Sequence, residues 1–349
     1  MRTKLLAAAL LVASAAAGRA DDGLTRGTPD VKSVTALAFG PKGLLLLGDP
    51  TGGAVFAFDT GDSKPAGDNK PLNVEKVDAK LAAALGATEK DVKITDVKVN
   101  PASGAVYVAV TRAGTPALTK VARDGTVTAI AFKDLPFAKV ALPNANDKQR
   151  TESITSLAFV DGKVIVAGLS NEEFASTLRV IPFPFKEADK GAGIKIFHGA
   201  HGRLETNAPI RTFVPYKIGT EENIMAAYTC TPLVKIPVAD LKAGAKVNGT
   251  TIAELGNRNR PLDMIVYTKD GKDYLLMANS ARGVMKVPTE GFGKAEAITA
   301  KTAADTAGVK YESIKELTGV EQLDKLDDGH ALLLVKTANG SDLKTIPLP

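Results

Sequence analysis

The chain has 349 residues, with 44 Lys and Arg against 39 Asp and Glu, a mean hydropathy of +0.01, 5% aromatic residues, no Trp and one Cys. A single cysteine excludes an intramolecular disulfide, and charge so nearly balanced leaves no electrostatic footprint for nucleic acid. The length suits one all-β domain, and no linker or shift in composition divides it.

Residues 1–20 read as a secretory signal: Arg2 and Lys4 make a basic start, an apolar stretch too short to span a bilayer follows, and Gly18-Arg19-Ala20 supplies small residues for cleavage before Asp21. Taking Arg2, Lys4 and Arg19 from the 44 basic side chains leaves 41 against 39 acidic. No later stretch is long and apolar enough for a membrane helix. The mature protein, 21–349, is therefore expected to be exported (periplasmic or extracellular) and monomeric, without a membrane span.

From Val34 onward an apolar run, a turn glycine and a second apolar run recur six times. The runs start at Val34, Ile94, Ile154, Ile210, Leu262 and Val320, and the glycines are Gly43, Gly104, Gly162, Gly219, Gly271 and Gly329. This is the pattern of two antiparallel strands joined by a turn that favours positive φ, repeated about every 50 to 60 residues. Third runs follow in each unit, several closed by a β-branched residue and proline, as in Ile181-Pro182 and Val287-Pro288, which suits a strand end near a sheet edge. Fourth runs are read at 72–77, 127–132, 194–197, 251–255 and 295–299, and the sixth unit has none. The expected fold is an all-β, single six-bladed β-propeller of four-stranded antiparallel blades. It is closed by its N-terminal strand, with residues 24–32 lying beside 343–348. A β-solenoid would need shorter, more uniform coils.

In such a ring the connections between blades share a face with the turns between second and third strands. The long ones, 78–93, 133–152, 198–209, 256–260 and 300–313, place the functional surface there. Residues 78–85 read as a short amphipathic helix that caps the channel or packs on the side. Arg150, Arg203, Arg211, Arg258, Arg260 and Arg282 fall in or beside these connections and would suit an anionic ligand, or else pair with acids such as Glu152 and Asp263 to tie blades together. His198, His201 and Glu205 in one loop are a candidate divalent metal site, against an exposed structural loop. Cys230, flanked by Tyr228-Thr229 and Thr231-Pro232, is expected to be a buried, inert thiol, and His330 a plain turn residue.

No nucleophile elbow, phosphate loop or dinucleotide fingerprint occurs. The absence of Trp counts against aromatic sugar platforms and against propellers that dock pyrroloquinoline quinone on tryptophan. The segment Phe39-Gly-Pro-Lys-Gly43-Leu-Leu-Leu-Leu-Gly-Asp49 resembles the first-blade signature of secreted bacterial propellers of the NHL and gluconolactonase-like superfamily. The resemblance implies the fold. It also implies a channel metal held by a glutamate, two asparagines and an aspartate, but Lys32 or Ser33 stands in the glutamate's place and Asp263 matches only the aspartate's context loosely. The primary expectation is a binding or interaction module for a protein or small anionic ligand. The alternative is a divalent-metal-dependent hydrolase of the lactonase type, centred near Asp263 and Asn279.

Overall fold

In a computed structural model, which describes residues 23–65 and 70–349, the chain forms six small antiparallel sheets set in a ring. The architecture is the expected six-bladed β-propeller. The expected signal at 1–20 lies outside the described residues, as do Asp21 and Asp22. Named by their innermost strands, the blades start at Ala36–Phe39, Val92–Val99, Ser156–Val160, Thr212–Ile218, Pro261–Lys269 and Val320–Lys325. The first two strands of the third and fifth blades meet in Asp-Gly turns, with φ of 46° and 73° at Asp161-Gly162 and 52° and 72° at Asp270-Gly271. A paired left-handed turn of this kind matches strand twist and favours Asp-Gly. Gly329 departs from the pattern: Asp327 Oδ1 accepts from the Gly329 N–H and from His330 Nδ1, so a side chain closes that turn.

The order of blades around the ring is not their order along the chain. Innermost strands lie side by side in the sequence first, second, sixth, fifth, fourth, third and back to first. The apolar cores agree. Leu72, Val97, Val108, Leu332 and Leu343 pack between the second and sixth blades, whereas Leu46, Val55, Ile154 and Val166 pack between the first and third. The second blade is thus seated between the first and the sixth.

Two crossings bring this about. After the third strand of the first blade, Ala54–Asp59, residues 60–65 run over the second blade. There Asp62 accepts from Ser103 Oγ at 2.8 Å and Tyr107 OH at 3.1 Å and pairs with Lys120 Nζ at 2.9 Å. The chain then reaches the sixth blade, where Val74 exchanges backbone hydrogen bonds with Leu343, both at 2.9 Å. An α-helix, Val77–Ala84, follows and packs on the side of that blade with Val77 and Leu81 buried. Later the strand Leu135–Ala141 returns to the first blade as its fourth strand.

This corrects the expected closure. Thr25–Gly27 pairs with 135–137 on the outer edge of the first blade, and what lies beside Leu343 is an isolated bridge from Val74, in the run at 72–77. Residues 295–299 form no strand either. Glu312–Ile314 is the fourth strand of the fifth blade.

The edge strand Thr25–Gly27 is short and mostly exposed, while Val74 is fully buried. Removing residues 23–27 is therefore expected to change the unfolding midpoint little. Val74→Asp, an unpaired charge in a closed core, should destabilise by about 3 kcal/mol or more. Equal midpoints for Val74→Asp and wild type in a urea titration would contradict this closure.

Candidate functional site

Two cavities meet at a charged waist in the channel. Lys98 Nζ, on the innermost strand of the second blade, donates to Asp263 Oδ2 at 2.8 Å and lies 3.9 Å from Asp96 Oδ1. The acids also bind the next blade's backbone: Leu37 N donates to Asp96 Oδ2 at 2.6 Å, Val99 N to Asp324 Oδ2 at 2.7 Å, and Leu323 N to Asp263 Oδ2 at 3.4 Å. In each case the carboxylate's other oxygen accepts from the following residue's N–H at 2.9 Å, a geometry repeated in three adjacent blades.

Burial pushes Asp96 up to about 7, against the pull of Lys98 and with help from the charge on Asp263. Burial raises Asp324 as well. Lys98 loses hydration by burial, but Asp263, Asp96 and Asp324 outweigh that loss and hold its ammonium above the ordinary value.

The cavity on the tight-turn face measures about 670 Å³ and has apolar walls that include Phe39, Phe159 and Phe213. Charged groups along it are paired: Lys325 with Asp328 at 2.7 Å, and Asp327 with His330 at 2.8 Å. The cavity on the long-loop face is about 210 Å³ and is lined by Lys98, Arg211, Arg260, Asp263 and Glu321 among others.

The arginines divide into ties and free groups. Arg211 Nη1 donates to Glu152 Oε2 at 2.6 Å, joining the fourth blade to the loop before the third. Arg150 reaches the Thr51 carbonyl at 3.3 Å, Arg282 donates to the Asn257 carbonyl at 3.3 Å and meets Asp305 at 3.4 Å, and Arg203 lies 3.2 Å from Glu205. Arg258 and Arg260 are exposed, and their guanidinium groups have no hydrogen-bond or ion-pair partner among the described residues. Burial of part of the Arg260 side chain, together with the nearby Arg211, lowers its proton affinity. Asn279 does not converge with Asp263 on a common point: its Oδ1 accepts from Asn259 Nδ2 at 3.0 Å and its Nδ2 donates to the Met277 carbonyl at 3.1 Å.

A second constellation lies at the end of the third blade's outer strand. The tight connection from His198 to Arg203–Glu205 brings two histidines onto one carboxylate. His198 Nδ1 lies 3.0 Å from Glu205 Oε2 and His201 Nδ1 lies 2.7 Å from Glu205 Oε1, with ring centroids 3.8 Å apart. Burial lowers the His198 pKa, against its bond to Glu205. Burial alone would raise Glu205, but the bonds from His201 and His198 outweigh it and hold its carboxyl low.

Cys230, in the turn between the second and third strands of the fourth blade, is half-buried, not sealed in the core as expected. A ring nitrogen of each histidine and the Cys230 sulfur all lie within 4.8 Å of one another. Glu205 thus holds both imidazoles through Nδ1, and Cys230 is the third member of the cluster, which the sequence reading missed. The same turn adjoins the channel mouth: Arg211 Nε donates to Thr229 Oγ1 at 3.1 Å, and Cys230 N donates to the Asn259 carbonyl at 2.7 Å.

No protein-family model matches the chain, and no curated protein sequence matches it. Solved structures similar to it include a candidate oxidoreductase (glucose dehydrogenase) from Thermus thermophilus, 12% identical, with a TM-score of 0.40 over 93% of this chain and 99% of that one. Another is the PQQ-bound form of an aldose sugar dehydrogenase from Streptomyces coelicolor, also 12% identical, with a TM-score of 0.32 over 93% of this chain and 97% of that one.

The waist carries a pH dependence of definite sign. Between about pH 4 and 7 folded Asp96 keeps a proton that the unfolded chain releases, so its contribution to stability falls as pH rises through that window and is constant above it. Asp96→Asn is expected to flatten the decline of melting temperature across this window by a few degrees. Glu254, pushed up to about 7 by burial, acts in the same sense and leaves a residual slope. Identical slopes for variant and wild type would contradict the assignment.

Proposed function

We propose that this chain is an exported propeller that works as a binding module, holding a small anionic ligand at the long-loop mouth of its channel. Export rests on the basic start, the short apolar stretch and the small residues of 1–20. The observation that carries the ligand reading is Arg260: an exposed guanidinium lining the mouth cavity, beside Arg211, with no partner of its own among the described residues. Planar guanidinium groups recognise carboxylate and phosphate bidentately. A cavity of 210 Å³ holds roughly seven waters' worth of volume, the scale of phosphate or a short carboxylate.

The lactonase-type alternative finds no support at Asp263 and Asn279. The Lys98 ammonium already neutralises Asp263, and the Asn279 amide is engaged with Asn259 and Met277.

Calorimetric titration with inorganic phosphate and with succinate tests this reading. Wild type is expected to bind one of them, and Arg260→Ala to weaken that binding at least tenfold with a nearly unchanged melting temperature, since the guanidinium has no hydrogen-bond or ion-pair partner among the described residues. Arg211→Ala should lose both affinity and stability, the latter by about 1 kcal/mol, through its pair with Glu152. Undiminished binding by Arg260→Ala would remove the mouth from consideration.

A further inference from the structure

We propose that His198 Nε2, His201 Nε2 and Cys230 Sγ together hold a divalent transition ion of zinc's class, with Glu205 fixing both imidazoles and a fourth coordination position left open.

The argument starts from Glu205. Each of its oxygens takes one histidine through Nδ1, which assigns the Nδ1–H tautomer to both rings and leaves both Nε2 lone pairs free. A carboxylate behind the imidazole is the usual outer support of a metal-bound histidine. Here one carboxylate supports two.

An independent observation points the same way. His198 is 2% exposed, and its Nε2 is buried without any hydrogen-bond partner. Buried polar atoms in folded proteins are nearly always satisfied, so an orphan nitrogen on a ring that clusters with a second imidazole and a thiol marks a missing ligand.

Two more orphans flank the same loop. Glu254 accepts the Gly199 N–H on Oε1 at 2.5 Å while its Oε2 has no partner. Thr302, whose N–H bonds the Gly199 carbonyl at 3.0 Å, leaves Oγ1 unpaired.

The donor set selects the ion. Two imidazoles and a thiolate suit zinc and its neighbours and are poor ligands for magnesium or calcium. Tetrahedral zinc with bonds of about 2.0 to 2.3 Å needs donor atoms about 3.3 to 3.8 Å apart. Separations within 4.8 Å are therefore closed by small side-chain rotations. Three protein ligands leave the fourth position for water or an anion, the arrangement of a site that binds or activates a small molecule, not one that only holds the fold.

The experiment strips the purified mature protein with chelator, titrates Zn²⁺ by calorimetry with elemental analysis of the product, and records the absorption of the Co²⁺-loaded form. Expected are one equivalent of Zn²⁺ and a thiolate-to-cobalt charge-transfer band. Cys230→Ser should abolish the band and weaken Zn²⁺ binding at least tenfold, and Glu205→Gln should weaken it about 10- to 100-fold while keeping the band. Circular dichroism of the variants guards against misfolding, which Cys230→Ser on a half-exposed turn should not cause. Arg260→Ala should bind Zn²⁺ normally, so that failure of the mouth site and failure of the metal site are separable. No stoichiometric Zn²⁺ in the wild type, or Cys230→Ser binding it as tightly, would overturn the proposal.

Discussion

The ammonium of Lys98 sits where the innermost strands converge, and the ring depends on it. Three acids from three adjacent blades surround it, and each carboxylate also accepts a backbone N–H from the strand of the next blade. Without the cation those acids would be buried like charges, and desolvation and mutual repulsion would both oppose closure. With it, the acids staple each inner strand to its neighbour at a point where strand-to-strand hydrogen bonding within a blade cannot reach. The waist also divides the channel, so that a ligand entering from the long-loop face meets a charged floor.

The unusual ring order follows from where apolar surface needs covering. The sixth blade has three strands of its own, and its outer edge is completed by Val74, which the chain can deliver only by crossing the second blade. Once there, the chain builds the second blade in the adjacent gap and returns to finish the first with Leu135–Ala141. The apolar clusters between blades, with Leu343 and Val74 in one and Val140 and Ile154 in another, are the main stabilising surface of this arrangement. The same geometry brings Thr229 and Cys230 of the fourth blade toward the histidine loop of the third, so the mouth and the imidazole pair share one end of the molecule.

Much of this was legible in the sequence because it is local. Alternating apolar runs and turn glycines encode the hairpins, and an Asp-Gly turn between two runs fixes a strand pair whatever the rest of the chain does. The run at 72–77 was recognisable as apolar, but its partner, Leu343, lies far along the chain and no local pattern names it. In the site, His198, His201 and Glu205 stood out by proximity in sequence, whereas Cys230 looked inert because its own neighbours offer no base. Its partners come from another blade. The waist left a fainter trace that a closer reading could have used. Asp96, Asp263 and Asp324 each lie in the innermost strand of a blade, shortly after a β-bulge in the same strand. A carboxylate repeated in the inner strands is costly unless a cation waits for it, and Lys98, two residues beyond Asp96, is that cation.

The most direct measurement is the denaturation midpoint of Lys98→Met alone and combined with Asp263→Asn. The account predicts a loss of about 3 to 5 kcal/mol for the single variant, because it strands buried carboxylates, and recovery of much of that loss in the double variant, where one of them is neutral. A Lys98→Met protein as stable as the wild type at neutral pH would contradict the role of the charged waist in holding the ring together.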